Sequence, residues 1–167
     1  MEYAKLGNTD IEVSKLCVGC MSFGKAGTMH KWTLDEEQSG EVIRHALDLG
    51  INFFDTANGY SEGTSEEYLG RVLKESVARD KVVIASKVYF NPGRLSREAI
   101  MREIDGSLKR LGTDYLDMYL IHWPLPNPEY KDWKELDVET WRGLEELYKA
   151  GKVKAIGVSN FLLHLLR

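Results

Sequence analysis

Short apolar segments alternate with helical patterns along this chain, and four of these segments end on a polar residue. The segments that begin at Ile51, Val82, Leu116 and Val153 are predicted strands, and apolar residues at helical spacing fill the stretches between them. Strands that are apolar on both faces are typical of a buried parallel sheet. The chain therefore predicts an α/β fold made of repeated strand–helix units.

The polar residues at the strand ends are Asp55, Lys87, His122 and the pair Ser159-Asn160. Parallel strands joined by crossover helices place all their carboxyl ends on one rim, so we expect these side chains to converge. Their recurrence at each strand end favours a (β/α)8 barrel over a doubly wound sheet, whose site lies at one switch point. Segment 19–24 also lacks the glycine spacing of the Rossmann fingerprint. An acid, an amine and an imidazole facing one pocket indicate an enzyme.

The residues before the first repeat predict a small β-hairpin. Segments 3–6 and 11–14 flank the turn signal Gly7-Asn8-Thr9-Asp10, and a first barrel strand is predicted over 15–19. No linker or low-complexity stretch interrupts residues 1–167. We therefore predict one domain, the N-terminal part of a (β/α)8 barrel with its first five strands, which a missing C-terminal half or a homo-oligomer would close.

Helix starts are predicted from capping signals. Thr33 and Thr64 each precede a Glu by three residues, which is the Thr-x-x-Glu capping box, and Ser96 is expected to begin the third helix. In the first helix, Val42 and Ile43 are both assigned to the inner face.

Composition excludes several classes of function. A net charge of −4 gives no electrostatic reason to bind nucleic acid or an anionic membrane. No apolar run approaches the ~20 residues of a membrane span, and the N-terminus lacks a signal peptide, so a cytoplasmic protein is expected.

Metal and redox sites are not predicted. Cys17 and Cys20 form a lone Cys-x-x-Cys without a second pair of ligands, which favours buried, reduced thiols over a metal or redox site. His-x-His, the pattern of metal-dependent barrel hydrolases, is absent from the sequence.

The segment 55–70 resembles the aldo-keto reductase pattern of a strand-end Asp, a Tyr five residues later and Gly-x-Ser-Glu-x-x-Leu-Gly at the start of a helix. Ser86-Lys87, Ile121-His122-Trp123-Pro124 and the segment 157–161 resemble the next three strand ends of that family, in order and at matching spacing. The resemblance extends from Leu6 to the last residue.

The resemblance implies that Asp55, Tyr60, Lys87 and His122 form a catalytic tetrad. Reduction of a carbonyl leaves an alkoxide, so a proton donor is needed at the oxygen, and Tyr60 is the implied general acid. A neighbouring ammonium favours a phenolate, which is the implied role of Lys87, and Asp55 would keep that amine charged. His122 would donate a hydrogen bond to the carbonyl oxygen.

The family also implies a nicotinamide cofactor, NADPH by family habit, and a small aldehyde or ketone as substrate. Ser159 and Asn160 resemble residues that hold the nicotinamide carboxamide, Met21 resembles a first-loop residue whose backbone lies near the cofactor, and Asp55 completes the implied cofactor contacts. No residue of the chain distinguishes NADPH from NADH or identifies the carbonyl substrate. Because about half of the family's cofactor site is absent, residues 1–167 alone are expected to have little or no activity.

Structural interpretations remain for each of these residues. Asp55 could be a turn former, Tyr60 a surface aromatic, Lys87 a solvated charge and His122 a core histidine. The aromatic residues of the same loops could line a substrate pocket or fill the core: Phe23, Trp32, Tyr89 and Trp123. For the whole protein, the alternatives are a cofactor-binding regulatory subunit of a potassium channel and an inactive truncated barrel.

Overall fold

The computed structural model describes residues 1–28, 30–89, 95–124 and 131–166. Its strands are β1 Tyr3–Lys5, β2 Glu12–Ser14, β3 Cys17–Gly19, β4 Phe53–Asp55, β5 Val83–Val88, β6 Met118–Ile121 and β7 Ile156–Val158. Its longer helices are α1 Glu36–Asp48, α2 Thr64–Ser76, α3 Arg97–Leu111 and α4 Trp133–Lys149.

Among the described residues, β3 to β7 form a five-stranded parallel sheet in sequence order, and the antiparallel pair β1–β2 precedes it. Each of the four helices connects one strand of this sheet to the next. This is the strand–helix repeat of a (β/α)8 barrel over its first five strands, with an N-terminal hairpin, as the sequence predicts.

Alternation along each strand separates the core from the site. Phe54, Ile84 and Tyr119 are fully buried and pack in one cluster with the inner faces of the helices, which include Ile43 and Leu69. Neighbouring residues along a strand point to the opposite face of the sheet. Phe54 comes directly before Asp55, and Ser86, whose hydroxyl donates to Glu66 of α2, comes directly before Lys87. The catalytic candidates Asp55 and Lys87 therefore point to the other side of the sheet, away from the helices.

The opposite end of the sheet is held by a buried carboxylate. Asp117, just before β6, forms ion pairs with Arg79 at 2.8 Å and with Lys154 at 3.0 Å, and it accepts a hydrogen bond from the Ile84 N–H at 3.0 Å. Because Ile84 lies in β5 and Lys154 just before β7, this one side chain ties three consecutive strands together at the end remote from the polar strand ends.

The first helix does not begin as predicted. Its N-cap is Asp35, whose carboxylate accepts from the Gln38 N–H at 2.9 Å, and Gln38 accepts in return from the Asp35 N–H at 3.3 Å. The capping box at Thr33 is therefore wrong, because an Asp two residues later supplies a stronger acceptor at the actual turn. The prediction of an inward-facing Val42 is also wrong, since Val42 is 42% exposed, whereas its neighbour Ile43 is buried.

The second helix begins through backbone geometry and not through a side-chain cap. Gly63 occupies the N-cap in the left-handed conformation, with φ 90°, after Ser61 and Glu62 in the same region. Thr64 is already helical, and its hydroxyl donates to the Ser61 carbonyl at 2.7 Å. The capping box at Thr64 is wrong for this reason. In contrast, Ser96 does cap α3 by accepting from the Ala99 N–H.

None of the helices described is long and apolar enough to cross a membrane.

Candidate active site

Lys87 is the centre of the polar group at the strand ends. Its side chain is buried, and Nζ lies 2.8 Å from Asp55 Oδ2, 2.9 Å from the Thr56 carbonyl oxygen and 3.2 Å from the Tyr60 hydroxyl. An ammonium has three N–H donors and no acceptor, so these three oxygens satisfy it completely. The sequence predicts two of the three partners, and the Thr56 carbonyl is the one that residue patterns do not reveal.

Tyr60 lies directly before a strained turn. Its N–H donates to the Ala57 carbonyl at 3.1 Å, and its side chain is buried at 8% exposure. The next two residues, Ser61 and Glu62, have φ of 47° and 56°, a region that non-glycine residues rarely occupy. Gly24 of the first loop packs on this turn so closely that a Cβ there would collide with the Ser61 side chain. The first loop therefore packs against this turn, and the close contact requires glycine at position 24.

His122 stands at the end of β6, where its N–H donates to the Val88 carbonyl at 3.0 Å. Its ring meets the Tyr60 ring edge-on, with centroids 5.4 Å apart at 81°, and the Tyr89 ring at 5.7 Å and 75°. Burial, and then the positive charge of Lys87, lowers the pKa of His122 from 6.5 to about 4. The imidazole is therefore neutral at neutral pH.

The two ring nitrogens of His122 differ in their surroundings. Nδ1 of His122 is buried and has no hydrogen-bond partner among the described residues. With its proton on Nε2, a neutral His122 ring would keep only an acceptor at the buried Nδ1 and would be a hydrogen-bond donor through Nε2.

The pair Ser159-Asn160 lies beside His122. The Ser159 N–H donates to the Ile121 carbonyl at 2.8 Å, and the Asn160 amide donates to the His122 carbonyl at 2.8 Å and to the Ser159 hydroxyl at 3.0 Å. Asn160 is exposed and has φ 62°. Met21 lies in the short 3-10 helix Cys20–Ser22 after β3 and is 40% exposed.

A further residue of the loop, Asn58, has contacts that the sequence reading missed. Its N–H donates to the Lys87 carbonyl at 3.1 Å, its Oδ1 accepts from the Tyr89 N–H at 2.9 Å, and its Nδ2 donates to Glu103 at 3.1 Å. Asparagine in a loop between two strand ends is the only sequence signal, and it does not identify these partners.

The two cysteines are free thiols. Cys20 is buried as predicted, but Cys17 is exposed; it lies on β3, which is paired on one side only in the part of the chain that the structure describes. Partial burial of the thiol, followed by the Asp55 carboxylate, raises the pKa of Cys17 to about 11, so it carries no thiolate at neutral pH. Within the described residues there is no group of three His, Cys, Asp or Glu side chains that could hold a metal ion.

Comparisons with known proteins agree on one family. The model of the Aldo/keto reductase family matches residues 15–167. Aldo-keto reductase YhdN of Bacillus subtilis is 44% identical to this chain. The alignment has 167 positions, gaps included, and covers 96% of this chain and 47% of that protein. The chain therefore spans about half the length of this curated relative.

Solved structures give the same result. The thermostable aldo-keto reductase Tm1743, in complex with the inhibitor epalrestat, superposes with a TM-score of 0.81 at 37% identity, over 99% of this chain and 56% of that one. An aldo/keto reductase from Klebsiella pneumoniae, in complex with NADP and acetate, has a TM-score of 0.74 at 33% identity, over 92% of this chain and 48% of that one.

Proposed function

Because the chain belongs to the aldo/keto reductase family, we propose that it carries the catalytic groups of an NAD(P)H-dependent reductase that converts aldehydes or ketones to alcohols. The observation that carries this proposal is the contact of one buried ammonium, Lys87, with both a carboxylate and a phenol, Asp55 at 2.8 Å and Tyr60 at 3.2 Å. A phenol paired with a buried cation is suited to proton transfer, because the cation favours the phenolate that remains.

Tyr60 gives its proton to the carbonyl oxygen as negative charge develops on it. Lys87 stabilises the phenolate that remains, since its ammonium lies within hydrogen-bond distance of the oxygen that loses the proton. Asp55 compensates the charge of this buried ammonium and orients it beside the reacting group.

His122 holds the substrate carbonyl. As a neutral imidazole with its proton on Nε2, it donates a hydrogen bond to the oxygen without adding a second full positive charge beside Lys87. The edge-on contact between the His122 and Tyr60 rings keeps the two donors next to each other, so that both can form a hydrogen bond to the carbonyl oxygen of the substrate.

The residues near His122 fit a nicotinamide. The Ser159 hydroxyl and the exposed Asn160 amide lie together at the carboxyl end of β7, next to the His122 carbonyl, and such groups are complementary to a carboxamide. Ser159, Asn160 and the backbone near Met21 would hold the cofactor, with Asp55 at the edge of the same space. When bound, NADPH would supply a hydride to the carbonyl carbon.

The activity is tested on a complete barrel that contains residues 1–167, here called the full-length protein, with a panel of aldehydes and ketones. We expect loss of NADPH absorbance at a rate that depends on the carbonyl concentration, with NADH as the parallel cofactor. No consumption of either cofactor with any carbonyl, although fluorescence titration shows that the cofactor binds, would contradict a reductase and favour a cofactor-binding subunit.

Residues 1–167 alone are expected to reduce carbonyls far more slowly than the full-length protein. Among the described residues, β3 and β7 are each paired on one side only, and the cofactor contacts named above come from only part of a barrel. The check is to assay both polypeptides at equal concentration after circular dichroism has shown that each is folded. Equal turnover per molecule would overturn this expectation.

A further inference from the structure

Asn58 lies between Asp55 and Tyr60 in the loop after β4, and its three hydrogen bonds reach two other elements. We propose that Asn58 is a positioning residue that holds the loop carrying Tyr60 against the end of β5, with Glu103 of α3 as its anchor. This inference rests on the proposed function, because it concerns how the proton donor is kept at its distance from Lys87.

The loop remains paired to β5 beyond the end of the strand. The Thr56 N–H donates to the Ala85 carbonyl at 2.9 Å, and the Asn58 N–H donates to the Lys87 carbonyl at 3.1 Å. The Asn58 side chain adds a third bond further along, with the donor on the other segment, since Oδ1 accepts from the Tyr89 N–H at 2.9 Å. Tyr60 lies two residues after Asn58, so these bonds control the 3.2 Å separation between its hydroxyl and Lys87.

The same side chain also orders the neighbourhood of His122. The Tyr89 ring meets the His122 ring edge-on at 5.7 Å, and the Tyr89 backbone is held by Asn58. Asn58 is therefore in a position to affect both donors that the proposed reaction uses, without contacting the reacting atoms.

The contacts require an amide at this position. Oδ1 must accept from a backbone N–H while Nδ2 donates to the Glu103 carboxylate at 3.1 Å. The flipped amide would set N–H against N–H and oxygen against carboxylate, so the assignment follows from the partners. Aspartate has the same shape and keeps the acceptor, but it has no donor and places a second negative charge against Glu103, whose side chain is only 17% exposed.

The test uses the full-length protein with Asn58→Asp, Asn58→Ala and the double variant Asn58→Asp/Glu103→Gln. We expect kcat to fall about tenfold or more in both single variants, since small displacements of catalytic groups cost up to ~10²-fold. The NADPH dissociation constant is expected to change less than about twofold, because Asn58 makes none of the contacts proposed for the cofactor. In the double variant, the glutamine amide can donate to the new carboxylate, so most of the lost kcat should return.

Glu98→Gln, on the exposed side of the same helix, is the matched control and should leave kcat unchanged. If Asn58 had only a structural role, its variants would have a lower melting temperature, but kcat of the folded enzyme would be unchanged. If Asn58 is a positioning residue, kcat is lower even when it is measured far below the melting temperature, where the variant is fully folded. If Asn58→Asp and Asn58→Ala both retain wild-type kcat, or the double variant recovers nothing, the positioning role is wrong.

Tyr60→Phe is assayed in parallel, so that failure of this inference can be told from failure of the proposed function. Full turnover of Tyr60→Phe overturns the proposed function itself. Inactive Tyr60→Phe together with fully active Asn58→Ala overturns only this inference.

Discussion

Replacing Tyr60 with phenylalanine is expected to lower kcat by about 10²–10⁴-fold, the range that a positioned general acid contributes. The substitution removes one oxygen and keeps the ring that packs against His122. Lys87 retains Asp55 and the Thr56 carbonyl as partners, so the fold should persist. Loss of the proton donor, and not loss of structure, is then the cause of the change.

The measurement is steady-state carbonyl reduction by the full-length protein, together with cofactor titration by fluorescence quenching. We expect the NADPH affinity to stay near that of the parent, because the contacts assigned to the cofactor are made by other residues. Tyr148→Phe is the control, since that tyrosine is on α4 and is 53% exposed. Turnover of Tyr60→Phe within a few-fold of the parent would exclude Tyr60 as the general acid.

The parallel sheet and the meeting of its polar strand ends could be predicted from the sequence because both follow from a simple periodic rule. Apolar strands at regular intervals require crossover helices, and these place Asp55 and Lys87 on one rim of the sheet. The structure brings these two residues and Tyr60 into hydrogen-bond contact. Their catalytic roles remain proposals that depend on the variants described above.

The helix starts were less predictable because a cap depends on the path by which the chain enters the helix. The pattern at Thr64 matches a capping box, but the chain arrives there through the left-handed residues Ser61 and Glu62. In that geometry the Thr64 hydroxyl bonds backward to the Ser61 carbonyl. The same turn follows Tyr60 directly, so the local rule fails where strained backbone adjoins the proposed proton donor.

Asn58 could not be found from sequence for a different reason. Two of its partners are backbone groups, the Lys87 carbonyl and the Tyr89 N–H. Nearly every residue has these groups, so residue types do not show which of them will be a partner. The third, Glu103, lies in α3 and looks like an ordinary helix-surface residue. Only the three-dimensional placement of the β4 and β5 loops shows that one amide joins them.

Replacing Lys87 with methionine is expected to lower kcat by about 10²–10³-fold or more, which is the range for removing one preorganised group that stabilises developing charge. Methionine is similar in length and fills the buried space with no polar atom of its own, although the Thr56 carbonyl and the Tyr60 hydroxyl lose the donor that Lys87 gives them. Tyr60 then donates its proton in an environment that contains the Asp55 carboxylate but no compensating cation, so formation of the phenolate is opposed.

Stability separates this effect from simple damage to the fold. Removing one partner of a fully buried ion pair costs about 3–5 kcal/mol, but the Asp55 side chain is 32% exposed, so solvent can take up its charge and the loss should be smaller. Lys109→Met on the exposed side of α3 is the matched control for the loss of one positive charge. We expect Lys87→Met to remain folded at the assay temperature and to bind NADPH while turnover falls. A folded Lys87→Met variant with near-parent kcat would show that the ammonium beside Tyr60 is structural and that the proton donor is stabilised by another group.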